Sequence, residues 1–80
     1  MTKEQEIFNA MRQAINSAPQ GNRSSEMHLQ LLKYAQELKH VPRESICEEV
    51  GLSPSFRTEV GKMRNIIDRL VAAGLDVSKI

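Results

Sequence analysis

The stretch ICEEVGLSPSF, residues 46–56, sets the reading of the whole chain. Gly51 stands where a helix-stopping glycine belongs, since a residue without Cβ takes a positive φ at little cost. Leu52 can then fold back on the preceding turn. Ser53 reads as the N-cap of a new helix, with Pro54 at its first position, where a missing N–H costs nothing. One helix therefore stops and another starts within a few residues.

Upstream, Pro42 opens the short helix that ends at this corner, expected over residues 43–50, and Glu44 in its first turn complements the helix dipole. Ile46, Cys47 and Val50 form its inward face, while Glu48 and Glu49 face water. Before it, His28, Leu31, Leu32, Ala35 and Leu38 recur at steps of three or four and predict a helix over residues 25–39. Gln30, Lys33 and Glu37 lie opposite, and Val41-Pro42 ends the helix because the residue before a proline leaves the α region. Ser24 and Ser25 are both available as caps. A first helix over residues 3–17 follows from the Thr2/Gln5 capping-box spacing and from Ile7, Phe8, Met11, Ala14, Ile15 and Ala18. Pro19, Gly21 and Asn22 end it.

Downstream, Phe56, Val60, Met63, Ile66 or Ile67, Leu70 and Ala73 carry an apolar stripe to a second stop at Gly74. Leu75, Val77 and Ile80 are apolar enough to pack the tail on the body or on a second subunit. The expected fold is all-α: four helices in one domain over residues 1–80, the last of them long.

Eighty residues bury only about 60% of the surface of the unfolded chain, so a covered partner surface would add stability. The composition, 40% hydrophobic and 26% charged, suits a folded soluble domain. The single cysteine excludes an internal disulfide, and no apolar run serves as a signal peptide or a bilayer span, so a cytoplasmic location is expected. A net charge of +1 neither demands nor excludes nucleic acid.

Over residues 42–65 the chain resembles a helix-turn-helix unit. The resemblance rests on the short helix, on Cys47 four places before the turn glycine Gly51, on Leu52 just after it, and on the Ser53-Pro54-Ser55 start of the next helix. Steeply crossing helices need a small side chain at closest approach, a glycine to reverse the chain and an apolar plug at the corner. "GLSPS" at this place is common among small bacterial and phage DNA-binding regulators. That family usually buries an apolar residue at the position held here by Arg57, and here apolar spacing continues through Leu70, as in a dimerisation helix.

The resemblance implies that the start of the fourth helix enters the major groove of double-stranded DNA and that the helix before it crosses the backbone. Ser55, Arg57, Thr58, Gly61, Lys62 and Asn65 are then the outward positions. Arg57 is placed to read a guanine edge and Thr58 a thymine methyl or a phosphate, while Lys62 and Arg64 hold phosphates. Ser53 and Ser55, at the helix start, are able to take a phosphate or to act as plain caps. Residues 55–70 carry four basic and two acidic side chains. Residues 42–52 set Arg43 against Glu44, Glu48 and Glu49, which disfavours tight binding by a monomer.

No catalytic, metal or cofactor site is expected. His28 and His40 have no second ligand at metal spacing, and Cys47 sits on an apolar face beside two glutamates. Glu48 and Glu49 are adjacent and cannot share a helical face. Met1, Met11, Met27 and Met63 read as core filler. The expectation is a non-enzymatic, homodimeric DNA-binding transcriptional regulator, with the first helix and the end of the fourth as interface. The alternative is a helical protein-interaction module, an inhibitor or adaptor that binds a protein partner and no DNA.

Overall fold

The structure, a computed structural model, describes residues 2–80; Met1 lies outside the described residues. Among those residues the chain forms α1 (Lys3–Ser17), α2 (Arg23–Lys33), α3 (Arg43–Val50) and α4 (Phe56–Ala72), then a 3-10 turn, Val77–Lys79, and no strand. The all-α, four-helix expectation holds. α1 packs on α2 and α3, and α4 packs on the same two helices, so the middle helices bridge the first and the last.

Thr2 caps α1 as its spacing implies, its Oγ1 accepting the Gln5 N–H at 3.2 Å. Ile7, Phe8, Met11 and Ile15 are all buried, with Met11 fully enclosed. They meet Leu31, Leu38, Ile46, Cys47, Val50, Leu52 and Val60 in one apolar cluster, with Met27 and Met63 packed against its edge. The outer face of α1 is polar, so this helix has spent its apolar surface on the core.

The second helix departs from its expected bounds at both ends. It starts at Arg23, after an Asn22 N–H to Pro19 carbonyl turn of 2.9 Å, so Ser24 and Ser25 lie within its first turn and cap nothing. It ends at Lys33, and residues 34–40 continue as hydrogen-bonded turns, with the Ala35 N–H on the Leu32 carbonyl at 3.3 Å. Ala35 and Leu38 still reach the core. The inward face is also turned: Gln30, expected outside, is buried and donates to Glu26 at 2.7 Å, while His28 is half-buried. A buried amide is tolerable here because it has that partner.

At the corner Gly51 takes φ 83°, and its N–H and that of Leu52 both close on the Cys47 carbonyl, at 2.9 and 2.8 Å. Leu52 is buried as the plug. α4 begins later than its serines suggest. The Phe56 N–H bonds the Ser53 carbonyl at 3.0 Å and the Arg57 N–H bonds the Pro54 carbonyl at 3.1 Å, a tight turn that leads into the helix. Of the two candidate inward isoleucines, Ile67 is buried and Ile66 exposed.

α4 ends at a second glycine: the Gly74 N–H bonds the Val71 carbonyl and the Leu75 N–H the Leu70 carbonyl, both at 3.0 Å. Beyond it the tail folds onto the body, where Lys33 Nζ donates to the Ile80 carbonyl at 3.1 Å. Asp76 accepts from the Ser78 hydroxyl and N–H, and these bonds hold its carboxyl below the usual range. No described helix is long and apolar enough to cross a membrane.

Candidate nucleic-acid interface

A helix advances about 100° per residue, which divides α4 into distinct faces. Phe56, Val60, Met63 and Ile67 point inward and are buried or half-buried. About a quarter-turn away, Arg57, Gly61 and Arg64 lie toward α3 and the turns before it. The outer face carries Thr58, Lys62, Asn65 and Arg69, all exposed. The expected site residues are therefore split between two faces.

Arg57 leans back from the outer face. Its Nε donates to the Pro54 carbonyl at 3.1 Å and its Nη1 lies 3.6 Å from Glu44 Oε1. Together with Cys47, Glu48, Leu52 and Pro54 these two side chains border a shallow cleft of about 220 Å³ between α3 and α4. With both partners more than half exposed, the ion pair contributes at most about 1 kcal/mol, so Arg57 is readily released.

Arg64 does not stand out as a phosphate holder. Its Nη2 donates to the Leu38 carbonyl at 2.8 Å and also to the Val41 carbonyl. The turns that replace the end of the expected second helix are thus tied down from α4. Partial burial lowers the pKa of this guanidinium, with the positive charge of Arg43 adding to the effect. Gly61, expected to face outward, is buried. A Cβ placed there would lie 2.8 Å from Arg43 Cζ, so the glycine admits the Arg43 side chain onto α4.

Neither Ser53 nor Ser55 caps α4. Their hydroxyls bond each other at 2.7 Å, and Ser55, the N-cap, makes no side-chain bond to the helix. Both serines are exposed at the corner. Lys62 is 61% exposed, with its Nζ 3.7 Å from Glu59 Oε1. Thr58, Asn65 and Arg69 have no side-chain partner among the described residues. Arg69 was legible in the sequence, since positions 58, 62, 65 and 69 follow the helical repeat, but it lies beyond the turns that a short recognition helix uses.

The two histidines and the cysteine are tied to structure. His28 bonds the Ser24 carbonyl at 2.8 Å and Glu59 at 3.2 Å, and its ring sits 5.4 Å from that of Phe56. His40 meets Glu4 at 3.2 Å, and the Glu4 carboxyl is held low by a backbone hydrogen bond and by His40. Desolvation raises the pKa of the buried Cys47 thiol, with Glu44 adding to the effect and Arg57 opposing it. Among the described residues no three His, Cys, Asp or Glu side chains are grouped as metal ligands would be.

A protein-family profile described as an HTH-like domain matches residues 3–73. No curated protein and no solved structure matches the chain. The matched span includes all four helices, so the family pattern extends well beyond the corner itself.

Proposed function

The chain belongs to the HTH-like domain family, a helix-turn-helix DNA-binding family, and from that premise we propose a small sequence-specific transcriptional regulator that binds double-stranded DNA as a homodimer. The observation that carries this reading is the outer face of α4. Thr58, Lys62, Asn65 and Arg69 form an exposed row that follows the Gly51 corner, with Glu59 paired to Lys62 at its edge. A row over residues 58–69 is about 16 Å long, a span that can follow the major groove.

In this reading Lys62 and Arg69 hold phosphates, and Thr58 and Asn65 meet base edges, an Asn amide being suited to adenine. Ser53 and Ser55 present hydroxyls to the backbone at the helix start. Arg57 swings out to a guanine once a base offers more than its exposed partner Glu44 does. Arg64 contributes by holding the turns before α3. The protein acts without cofactor or catalysis, in the cytoplasm.

For the dimer, α1 has little to offer because its apolar stripe is inside the core. Exposed Ile66 and Val71 support a contact on the second half of α4. The test of DNA binding is affinity for a generic duplex at several salt concentrations. Log affinity should fall linearly with log salt, and Lys62→Ala and Arg69→Ala should each reduce that slope by about 1. Absence of binding at low salt overturns the reading. It would favour the second one, a protein-interaction module, which draws support from the exposed Glu44, Glu48 and Glu49 on α3 and from exposed Leu29.

A further inference from the structure

Arg43, the first residue of α3, is not described by the α4 reading, yet its position is unusually constrained for an exposed arginine. The guanidinium lies against Gly61 in the middle of α4: the Cζ, Nη2 and Nη1 atoms are 2.8, 2.9 and 3.0 Å from where a Cβ would stand. Any other residue at position 61 would push it off. Glycine at position 61 thus leaves room for the Arg43 guanidinium to lie on α4.

The charge around this seat is unbalanced. Arg43 makes no hydrogen bond or ion pair with any described residue. The neighbouring carboxylate, Glu44, faces Arg57 instead. Arg64 is close enough for the charge of Arg43 to act on it; its Nη2 is turned to the Leu38 and Val41 carbonyls, while its buried Nε has no hydrogen-bond partner among the described residues. Two guanidiniums side by side with no carboxylate between them repel each other, and an oxyanion against Arg43 removes that penalty. The planar fork of a guanidinium also suits two oxygens of one phosphoryl group.

We propose that Arg43, seated on Gly61 beside Arg64, is a phosphoryl-oxyanion site, and that its occupant is a backbone phosphate of the DNA strand flanking α4. This assignment of the occupant rests on the DNA-binding reading, while the oxyanion chemistry does not. Gly61 is three residues after Thr58 and four before Asn65, so a phosphate on Arg43 borders the outer row of α4. The contact carries no base information. It sets the angle at which α4 enters the groove.

Two probes test the site. The first is inorganic phosphate, titrated against chloride at equal ionic strength while the Gly61 amide and Arg43 side-chain resonances are followed. These signals should move in the native chain and stay still in Arg43→Gln. The second is a generic DNA duplex. Arg43→Gln should lower the salt slope by about 0.9, with the loss alike for every sequence tested. Gly61→Ala should produce the same loss with the helical circular dichroism and melting temperature retained, because only the far end of Arg43 must move. Combining the two substitutions should add nothing. Phosphate shifts with an unchanged slope would support the site and assign it to a free oxyanion. If the native chain binds no DNA, the functional reading fails and the phosphate titration alone decides this one. Absence of a phosphate-specific shift overturns the site.

Discussion

Arg64 is a side chain whose chemistry runs against its sequence appearance, whereas buried Cys47 keeps to it. Arg64 looks like a phosphate ligand on a basic helix, but it donates to two backbone carbonyls from residues far back in the chain. Hydrogen bonds from a charged donor contribute about 1.5–3 kcal/mol, and the carbonyls left behind would be part-buried. Arg64→Ala should therefore cost about 2–3 kcal/mol in urea unfolding, where Lys62→Ala costs less than about 0.5 kcal/mol. Equal small losses would show that Arg64 is only a solvated cation. Cys47 has a thiol pKa raised above its usual 9.0, because burial disfavours the thiolate. The unfolded chain then releases this proton first as pH rises, so the thiol's contribution to stability is full below pH 9 and is lost above it. Cys47→Ala should flatten that alkaline fall in a pH series of unfolding curves, and a native thiol reagent should label Cys47 far more slowly than free cysteine. Rapid labelling in the folded state would contradict the burial. Cys47 was readable as a packing residue from its apolar neighbours. The role of Arg64 was not, since its acceptors are 23 and 26 residues away.

At the level of elements, the corner depends on Gly51 and hardly at all on Ser53. An alanine Cβ at position 51 would meet nothing within 4 Å, so the cost of Gly51→Ala is that of the positive φ alone, about 1 kcal/mol. A helix-capping serine would cost a similar amount when replaced. Ser53 bonds Ser55 instead, so Ser53→Ala should cost less than about 0.5 kcal/mol in the same unfolding assay. A loss as large as that of Gly51→Ala would mean that the hydroxyl supports α4 after all. Glycine stops and the α1 cap were legible because each acts on its own few residues. The end of α2 was not, because its apolar face runs on unbroken through Ala35 and Leu38. Those side chains reach the core from turns instead of a helix, held by a donor on α4. Gln30 and Gly61 were misplaced for a related reason: periodicity counts apolar residues, and an amide with a partner or a glycine under an arginine is invisible to it.

For the whole molecule, oligomeric state is the property least written into any single stretch. The tail, with Leu75, Val77 and Ile80, folds back onto its own body, and α1 faces inward, which leaves Ile66 and Val71 as the exposed apolar side chains of α4. Sedimentation at micromolar concentration should give a dimer for the native chain and a monomer for Ile66→Asp, with its helical content unchanged. A native monomer would count against the homodimer, and a dimeric variant would move the interface elsewhere. One long-range contact bears on how self-sufficient the corner is. Arg12 of α1 donates to the Glu49 carbonyl, at the very end of α3, two residues before the chain reverses at Gly51. The pitch between α3 and α4 is thus braced by a helix that precedes both. Residues 42–65 cut out as a peptide, or grafted onto a foreign scaffold, would keep the stop and start signals but lose the brace. Portability of this corner requires a donor that reproduces Arg12.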